Sequence, residues 1–196
     1  MRCLSMGPKA LLVETDGPWR SLALAELARA EDWAVDVVPA AATVLLDGVR
    51  DPEEVRRRVV SEPVAATPPD GPTVRIPVTY DGPDLEEVAT RWQVDSEQVV
   101  ARHTSVTWVA LFTGFAPGFG YLATKETWPS VGRRSTPRPR VPAGAVGLAD
   151  RWSGIYPAET PGGWQLIGRT EVVLWDALRA DPALLTPGTR VRFVAR

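Results

Sequence analysis

Three runs decide how this chain is read: GFAPGFGYL at Gly114–Leu122, TPRPRVPAGAVGL at Thr136–Leu148, and GIYPAETPGGWQLIGRT at Gly154–Thr170. Glycine tolerates positive φ and close backbone approach, whereas proline fixes φ and withholds a donor. Interleaving them with arginine and aromatics from Gly114 to Arg169 is costly to order unless the loops have defined shapes. Loops held on a rigid scaffold are where binding and catalysis concentrate. The block is therefore expected to be a ligand-facing surface of shaped loops.

Outward from it, short apolar runs are punctuated by glycine and proline: Val106–Phe112, Ala145–Leu148, Gln165–Ile167, Val172–Trp175 and Arg190–Val194. Many short strands so separated predict a closed β-barrel or sandwich. Upstream, Thr73–Tyr80 starts a strand. Asp84-Leu85-Glu86-Glu87 has a capping-box pattern, with Leu85, Val88, Ala89 and Trp92 on one side of the helix it opens. Asp95-Ser96-Glu97 opens a second helix that ends at His103.

The run EPVAATPPDGP at Glu62–Pro72 reads as a linker, dividing the chain into domains at 1–68 and 73–196. Before it, strands are expected at Ala10–Glu14, Ala34–Val38 and Thr43–Asp47. One helix starts at Asp16-Gly17-Pro18 and buries Leu24, Leu27 and Ala28. Another starts at Asp51-Pro52-Glu53-Glu54, with an N-cap carboxylate and proline at N1; Val55 and Val59 face inward and Arg56–Arg58 outward. A last strand at Val64–Ala66 would complete a small α+β sandwich. Cys3 lies near a terminus expected to be frayed.

Composition narrows the function. The 196 residues carry a net charge of −2, so no global field draws the protein to nucleic acid or anionic membrane. Cys3 is the single cysteine, which excludes an intramolecular disulfide and a cysteine metal cluster. Met1–Gly7 is too short and polar for a signal peptide, and no apolar run reaches membrane-spanning length, so a cytoplasmic location is expected. One histidine excludes a two-histidine zinc site, and nucleotide-loop and nucleophile-elbow motifs are missing.

His103 is the natural proton-transfer group near neutral pH; it equally suits capping the C-terminus of its helix. Arg138, Arg140 and Arg169 lie among prolines and glycines, where guanidinium forks suit carboxylate or phosphate, although TPRPRVP reads as well as a solvated extended segment. Arg133 and Arg134 read as solubilising. Thr160-Pro161-Gly162-Gly163-Trp164 is either an anion-binding turn or a tight hairpin with a packed tryptophan. Trp108, Phe115, Phe119 and Tyr121 read as barrel core. Asp150 and Glu159 are possible acid–base partners.

His103 with Trp108 five residues on, followed by the three quoted runs, resembles the allophanate hydrolase subunit 1 family. That family includes the B subunit of 5-oxoprolinase, KipI-type histidine-kinase inhibitors and the related carboxyltransferase domains of urea carboxylase. The likeness is close over Thr73–Arg196 and looser before it. It implies a ferredoxin-like α+β domain followed by a mainly-β cyclophilin-like barrel. It also implies work beside two partners, a second cyclophilin-like protein (the KipA-like C subunit) and the 5-oxoprolinase A subunit. Together they would open the small amide 5-oxoproline to glutamate at the expense of ATP, with this chain inactive alone. The family's polar motif positions fall on His103, Arg138, Arg140, Tyr156, Thr160 and Arg169. The expected roles are a catalytic His103, with Arg138, Arg140, Tyr156, Thr160, Gly162, Gly163 and Arg169 binding substrate or phosphate. Kinase inhibition and carboxyl transfer are the alternatives. Trp108, Ala123, Ala145, Trp152-Ser153 and Glu171 depart from the family pattern; a Trp108 or Trp152 lining the cleft would make it narrower and more apolar.

Overall fold

The computed structural model describes residues 1–61, 64 and 71–196. The chain divides into two compact units, Met1–Asp70 and Gly71–Arg196.

In the first unit, β1 (Arg2–Ser5), β2 (Ala10–Glu14), β3 (Asp36–Pro39) and β4 (Thr43–Asp47) form an antiparallel sheet of order β1-β2-β4-β3. Alternation puts Leu11 and Val13 of β2 and Val44 and Leu46 of β4 on one buried face. Helix α1 (Pro18–Ala30) adds Leu24, Ala25 and Ala28 to that core, and α2 (Pro52–Ser61) adds Val55 and Val59. Asp51 caps α2 as expected, its Oδ1 accepting the backbone N–H groups of Glu53 and Glu54 at 3.1 and 3.0 Å.

The amino-terminal residues are not frayed. Arg2–Ser5 pairs with β2 over four register positions and supplies the strand at that edge of the sheet. The strand expected at Val64–Ala66 lies outside the described residues except for Val64, which is buried against this core.

The second unit is mostly β. Strands β5 (Thr73–Val78), β6 (Trp108–Thr113), β7 (Gly120–Ala123), β9 (Ala145–Ala149), β10 (Trp152–Ile155), β12 (Gln165–Arg169) and β13 (Arg190–Ala195) form one sheet of order β12-β9-β10-β7-β6-β13-β5. Only β13 and β5 run parallel. The two outermost strands meet where Thr79 and Arg169 exchange both backbone N–H···O bonds at 2.9 Å, so the sheet nearly closes into a barrel. Gly82 permits that closure: a Cβ there would overlap the backbone of Leu166 and Ile167. A separate ribbon pairs β8 (Arg138–Val141) with β11 (Thr160–Gly162).

Helices α3 (Leu85–Trp92) and α4 (Ser96–Ser105) lie between β5 and β6 and pack on β12 and β13 respectively. The interior they help fill holds Trp108, Ile76, Leu122, Leu148, Ile167 and Phe193. The capping box is at Asp95 and Gln98, not at Asp84, whose carboxylate makes no cap bond. Two further expectations change. Val172–Trp175 is not a strand; it is an irregular segment with a single bridge from Trp175 to Ala183. And within the Gly114–Arg169 block, expected as shaped loops around strands at Ala145–Leu148 and Gln165–Ile167, further strands form at Gly120–Ala123, Arg138–Val141, Trp152–Ile155 and Thr160–Gly162.

Candidate functional site

The barrel sheet has two faces with different chemistry. Along β7, Leu122 points into the interior and Tyr121 to the other side; along β9, Val146 and Leu148 point in while Ala145 and Ala149 point out. The outer face gathers aromatics. Tyr121 stacks on Phe112 at 4.4 Å, and Trp152, Phe119 and Trp164 meet Tyr121 edge-on at 6.0, 5.1 and 5.7 Å. Phe119 in turn meets Tyr156 edge-on at 5.5 Å. Of these, Phe119, Tyr121, Trp152, Tyr156 and Trp164 wall a pocket of about 320 Å³ that the charged Arg133 and Asp150 also line.

Each polar group there has an identifiable setting. Burial pushes the Tyr156 phenol up, opposed by a backbone hydrogen bond from Trp164 and by the Arg133 and Arg138 charges. Asp150 occupies the left-handed region at φ 52°, and its Oδ1 accepts the Ser130 hydroxyl at 2.8 Å. Arg133 has no ion-pair partner among the described residues. Its neighbour Arg134 is fixed twice, through its N–H to the Gly163 carbonyl at 2.8 Å and its guanidinium to Asp84 at 3.0 Å.

Asp84 is the anchor beside the pocket. It is 2% exposed, and Oδ1 accepts from Arg134 at 3.0 Å and Arg138 at 2.7 Å while Oδ2 accepts the Leu166 N–H at 2.6 Å. With both oxygens engaged by these three donors, the carboxylate makes no cap bond to α3. Arg134, expected to be merely solubilising, is therefore structural.

The expected site residues do not converge. Arg138 is committed to Asp84; Arg140 pairs with Glu159 at 2.8 Å and Arg169 with Asp81 at 2.9 Å, both on the surface. Asp150 and Glu159 are thereby assigned to different surroundings. Thr160 and Gly162 lie in a strand, not in an anion-binding turn, and Gly163 follows it beside the Arg133 guanidinium. Only Tyr156 and Gly162 of the expected set line the pocket. Gly162 is needed there because a Cβ would overlap the Tyr156 hydroxyl and ring. Gly162→Ala should displace that ring and cost about 1–3 kcal/mol, read by denaturant unfolding; an unchanged midpoint would show the ribbon shifts freely.

His103 is not at the mouth of this surface. It is fully buried in the barrel interior, stacked on Phe193 at 4.2 Å. Its Nδ1 bonds the Tyr80 hydroxyl at 2.7 Å and its Nε2 the Ser153 hydroxyl at 2.9 Å; either neutral tautomer satisfies both. Burial lowers its pKa to about 3. Ser153 and the pocket-lining Trp152 are consecutive on β10, so the sheet separates His103 from the pocket. Nor does the ring cap its helix; the His103 carbonyl instead accepts the Trp108 indole N–H at 3.0 Å.

A family model described as carboxyltransferase domain, subdomain C and D, matches residues 1–185. The chain belongs to this carboxyltransferase-domain family. Among its relatives, the 5-oxoprolinase B subunit of Escherichia coli O157:H7 is 39% identical over 213 aligned residues, covering 98% of this chain and 95% of that protein. The protein of the same name from Bacillus subtilis (strain 168) is 43% identical over 157 residues, covering 76% of this chain and 65% of that one. The crystal structure of TTHA0988 superposes with a TM-score of 0.80 at 37% identity; the match takes in 96% of this chain and 40% of that one. The Kluyveromyces lactis urea amidolyase, at 18% identity and a TM-score of 0.70, shares the fold; 99% of this chain matches 15% of that one. The resemblance read from the glycine-rich runs thus holds for the carboxyltransferase-domain family. Of the departures from its pattern, Trp108 is interior and Trp152 lines the pocket.

Arg133, read from the sequence as solubilising, lines the pocket, and Asp84, read as a helix cap, is instead a buried ion-pair anchor. Locally, Gly132-Arg133-Arg134 looks like any solvated basic pair, and Asp84 has an N-cap's sequence neighbours. Their partners lie up to 82 residues away in sequence, as Asp84 and Leu166 do.

Proposed function

We propose that this chain is the B subunit of an ATP-dependent 5-oxoprolinase, hydrolysing 5-oxoproline to glutamate together with the A and C subunits. The observation that carries the reading is near-full-length identity with the Escherichia coli protein, 39% over almost the whole of both chains. The pocket supports it: aromatic walls, one guanidinium and one carboxylate suit a small planar amide.

The chain's residues do not fit a triphosphate. Phosphate binding needs several convergent cations or a cradle of backbone N–H groups. Here Arg138, Arg140 and Arg169 are engaged by three separate acids, and the pocket offers Arg133 alone. ATP use accordingly falls to another member of the complex, and the chain by itself is inactive. Its own contribution is to hold the amide against aromatic walls, orient it through charged groups and limit its contact with water.

In this reading the nearly closed sheet is a cyclophilin-like barrel. The first unit is a ferredoxin-like domain in which β1 occupies the fourth-strand position. No helix among the described residues is long and apolar enough to cross a membrane, and we assign the complex to the cytoplasm. Mixing the purified chain with the A and C subunits, 5-oxoproline and ATP should release glutamate, whereas omitting this chain should abolish release. No glutamate from the assembled complex would refute the assignment.

A further inference from the structure

The outer-face pocket contains a guanidinium that no carboxylate pairs with among the described residues, although Asp150 lines the same pocket. Arg133 lines it with no ion-pair partner among the described residues, while Arg134, Arg138, Arg140 and Arg169 each have a carboxylate. The backbone that carries Arg133 is held in place. Arg134 is fixed to the Gly163 carbonyl and to Asp84, and Arg138 reaches the same buried carboxylate from four residues further along. On the preceding side the Gly132 carbonyl accepts the amide of Gln165, a side chain with no exposure, at 3.0 Å. The anchored segment spares the cost of ordering backbone when the guanidinium meets an anion, leaving only the side chain's own rotamers to be fixed.

The surroundings select the shape of that anion. Tyr121, Trp152 and Trp164 offer flat apolar walls, and the Tyr156 hydroxyl lies within the electrostatic reach of Arg133. Arg133 is exposed, and its guanidinium runs beside Gly163, where even an added Cβ would meet Nη2 only at ordinary contact distance, 3.5 Å. Asp150 lines the same pocket and supplies an acceptor for an N–H group. A flat ring bearing a carboxylate and an amide N–H matches all three features.

We propose that Arg133 is the carboxylate-recognising residue of this pocket, which binds a small cyclic amide acid against the Trp152 and Tyr121 faces. The choice of 5-oxoproline as ligand rests on the 5-oxoprolinase reading; the recognition chemistry rests on the pocket. Arg133 thus acts in binding and specificity, and the pocket distinguishes acids from neutral lactams.

The test titrates the full chain alone with 5-oxoproline and with 2-pyrrolidinone, which has the ring and N–H without the carboxylate. Tryptophan emission reports occupancy because Trp152 and Trp164 form the walls. Saturable binding of 5-oxoproline is expected, at least about tenfold weaker for 2-pyrrolidinone and for Arg133→Ala with 5-oxoproline. Arg140→Ala, which removes an exposed pair with Glu159, should bind like the unaltered chain. Equal affinity for both ligands, an unchanged Arg133→Ala, or no binding by the unaltered chain would overturn the proposal. Binding as expected, combined with no glutamate from the assembled complex, would sink the 5-oxoprolinase assignment and leave the carboxylate site standing.

Discussion

Asp84→Ala is expected to destabilise the protein by about 3 kcal/mol, lowering the thermal midpoint by roughly 10 °C. The carboxylate is 2% exposed and carries two guanidinium groups and the Leu166 N–H on its two oxygens. Removing it leaves three donors without their acceptor. Arg134 and Arg138 keep 33% and 21% side-chain exposure, so water relieves part of the penalty; the Leu166 N–H is buried and gets no such relief. Asp84→Asn keeps an acceptor but loses the charge, and should fall between the two. The loss has a second consequence, because Asp84 fixes Arg134 beside the pocket. Chemical unfolding of the three proteins measures the cost. An Asp84→Ala chain within about 1 kcal/mol of the unaltered one would mean that the arginines find other partners and that Asp84 is no anchor.

That anchor also marks where local reading of the sequence stops. Elements written in short-range patterns were legible: Ala10–Glu14 and Thr43–Asp47 as short apolar runs, α2 by its Asp51 cap, the helix after Asp84 by its apolar spacing and the one after Asp95 by its Asp-Ser-Glu start. Many short strands between glycines and prolines made a closed barrel or a sandwich legible, and the sheet nearly closes as a barrel. What failed depends on distance. Arg2–Ser5 becomes a strand only because β2 offers an edge, and nothing in its four residues announces that. Val172–Trp175 has the apolar content of a strand, but only Trp175 finds a bridging partner, so it stays irregular.

The site divides the same way. The glycine-rich runs correctly identified the region that builds the pocket, and they place Tyr156 and Gly162 in it. The arginines were ranked by their proline-rich neighbours, whereas their roles are decided by which acid folds back on them. Arg138 is taken by Asp84, 54 residues away, and Arg133 is spared. Trp152 and Ser153 illustrate the point at the scale of one peptide unit. Adjacent in sequence, they face opposite sides of the sheet, one into the pocket and one onto His103.

His103 gives the second large effect, and it is read in acid. Its imidazole is neutral in the folded protein down to a pKa of about 3, while an unfolded chain protonates it near 6.5. Between those values the unfolded state binds one more proton than the folded state, so stability falls as pH drops from 6.5 towards 3. The slope is about 1.4 kcal/mol per pH unit, which reaches about 3 kcal/mol by pH 4. Above pH 6.5 both states are neutral at this position and the contribution vanishes. Carboxylates titrate in the same acid range, so the histidine must be isolated by difference. His103→Gln offers a donor and an acceptor to Tyr80 and Ser153 without a titrating ring, at a cost near neutrality of about 1–2 kcal/mol in lost packing against Phe193 and Trp108. The unaltered protein should then be more stable than the variant near pH 7, and the advantage should shrink or reverse by about pH 4. A difference between the two that stays constant over that range would mean that His103 titrates alike folded and unfolded, with water or a counter-charge reaching it in the barrel.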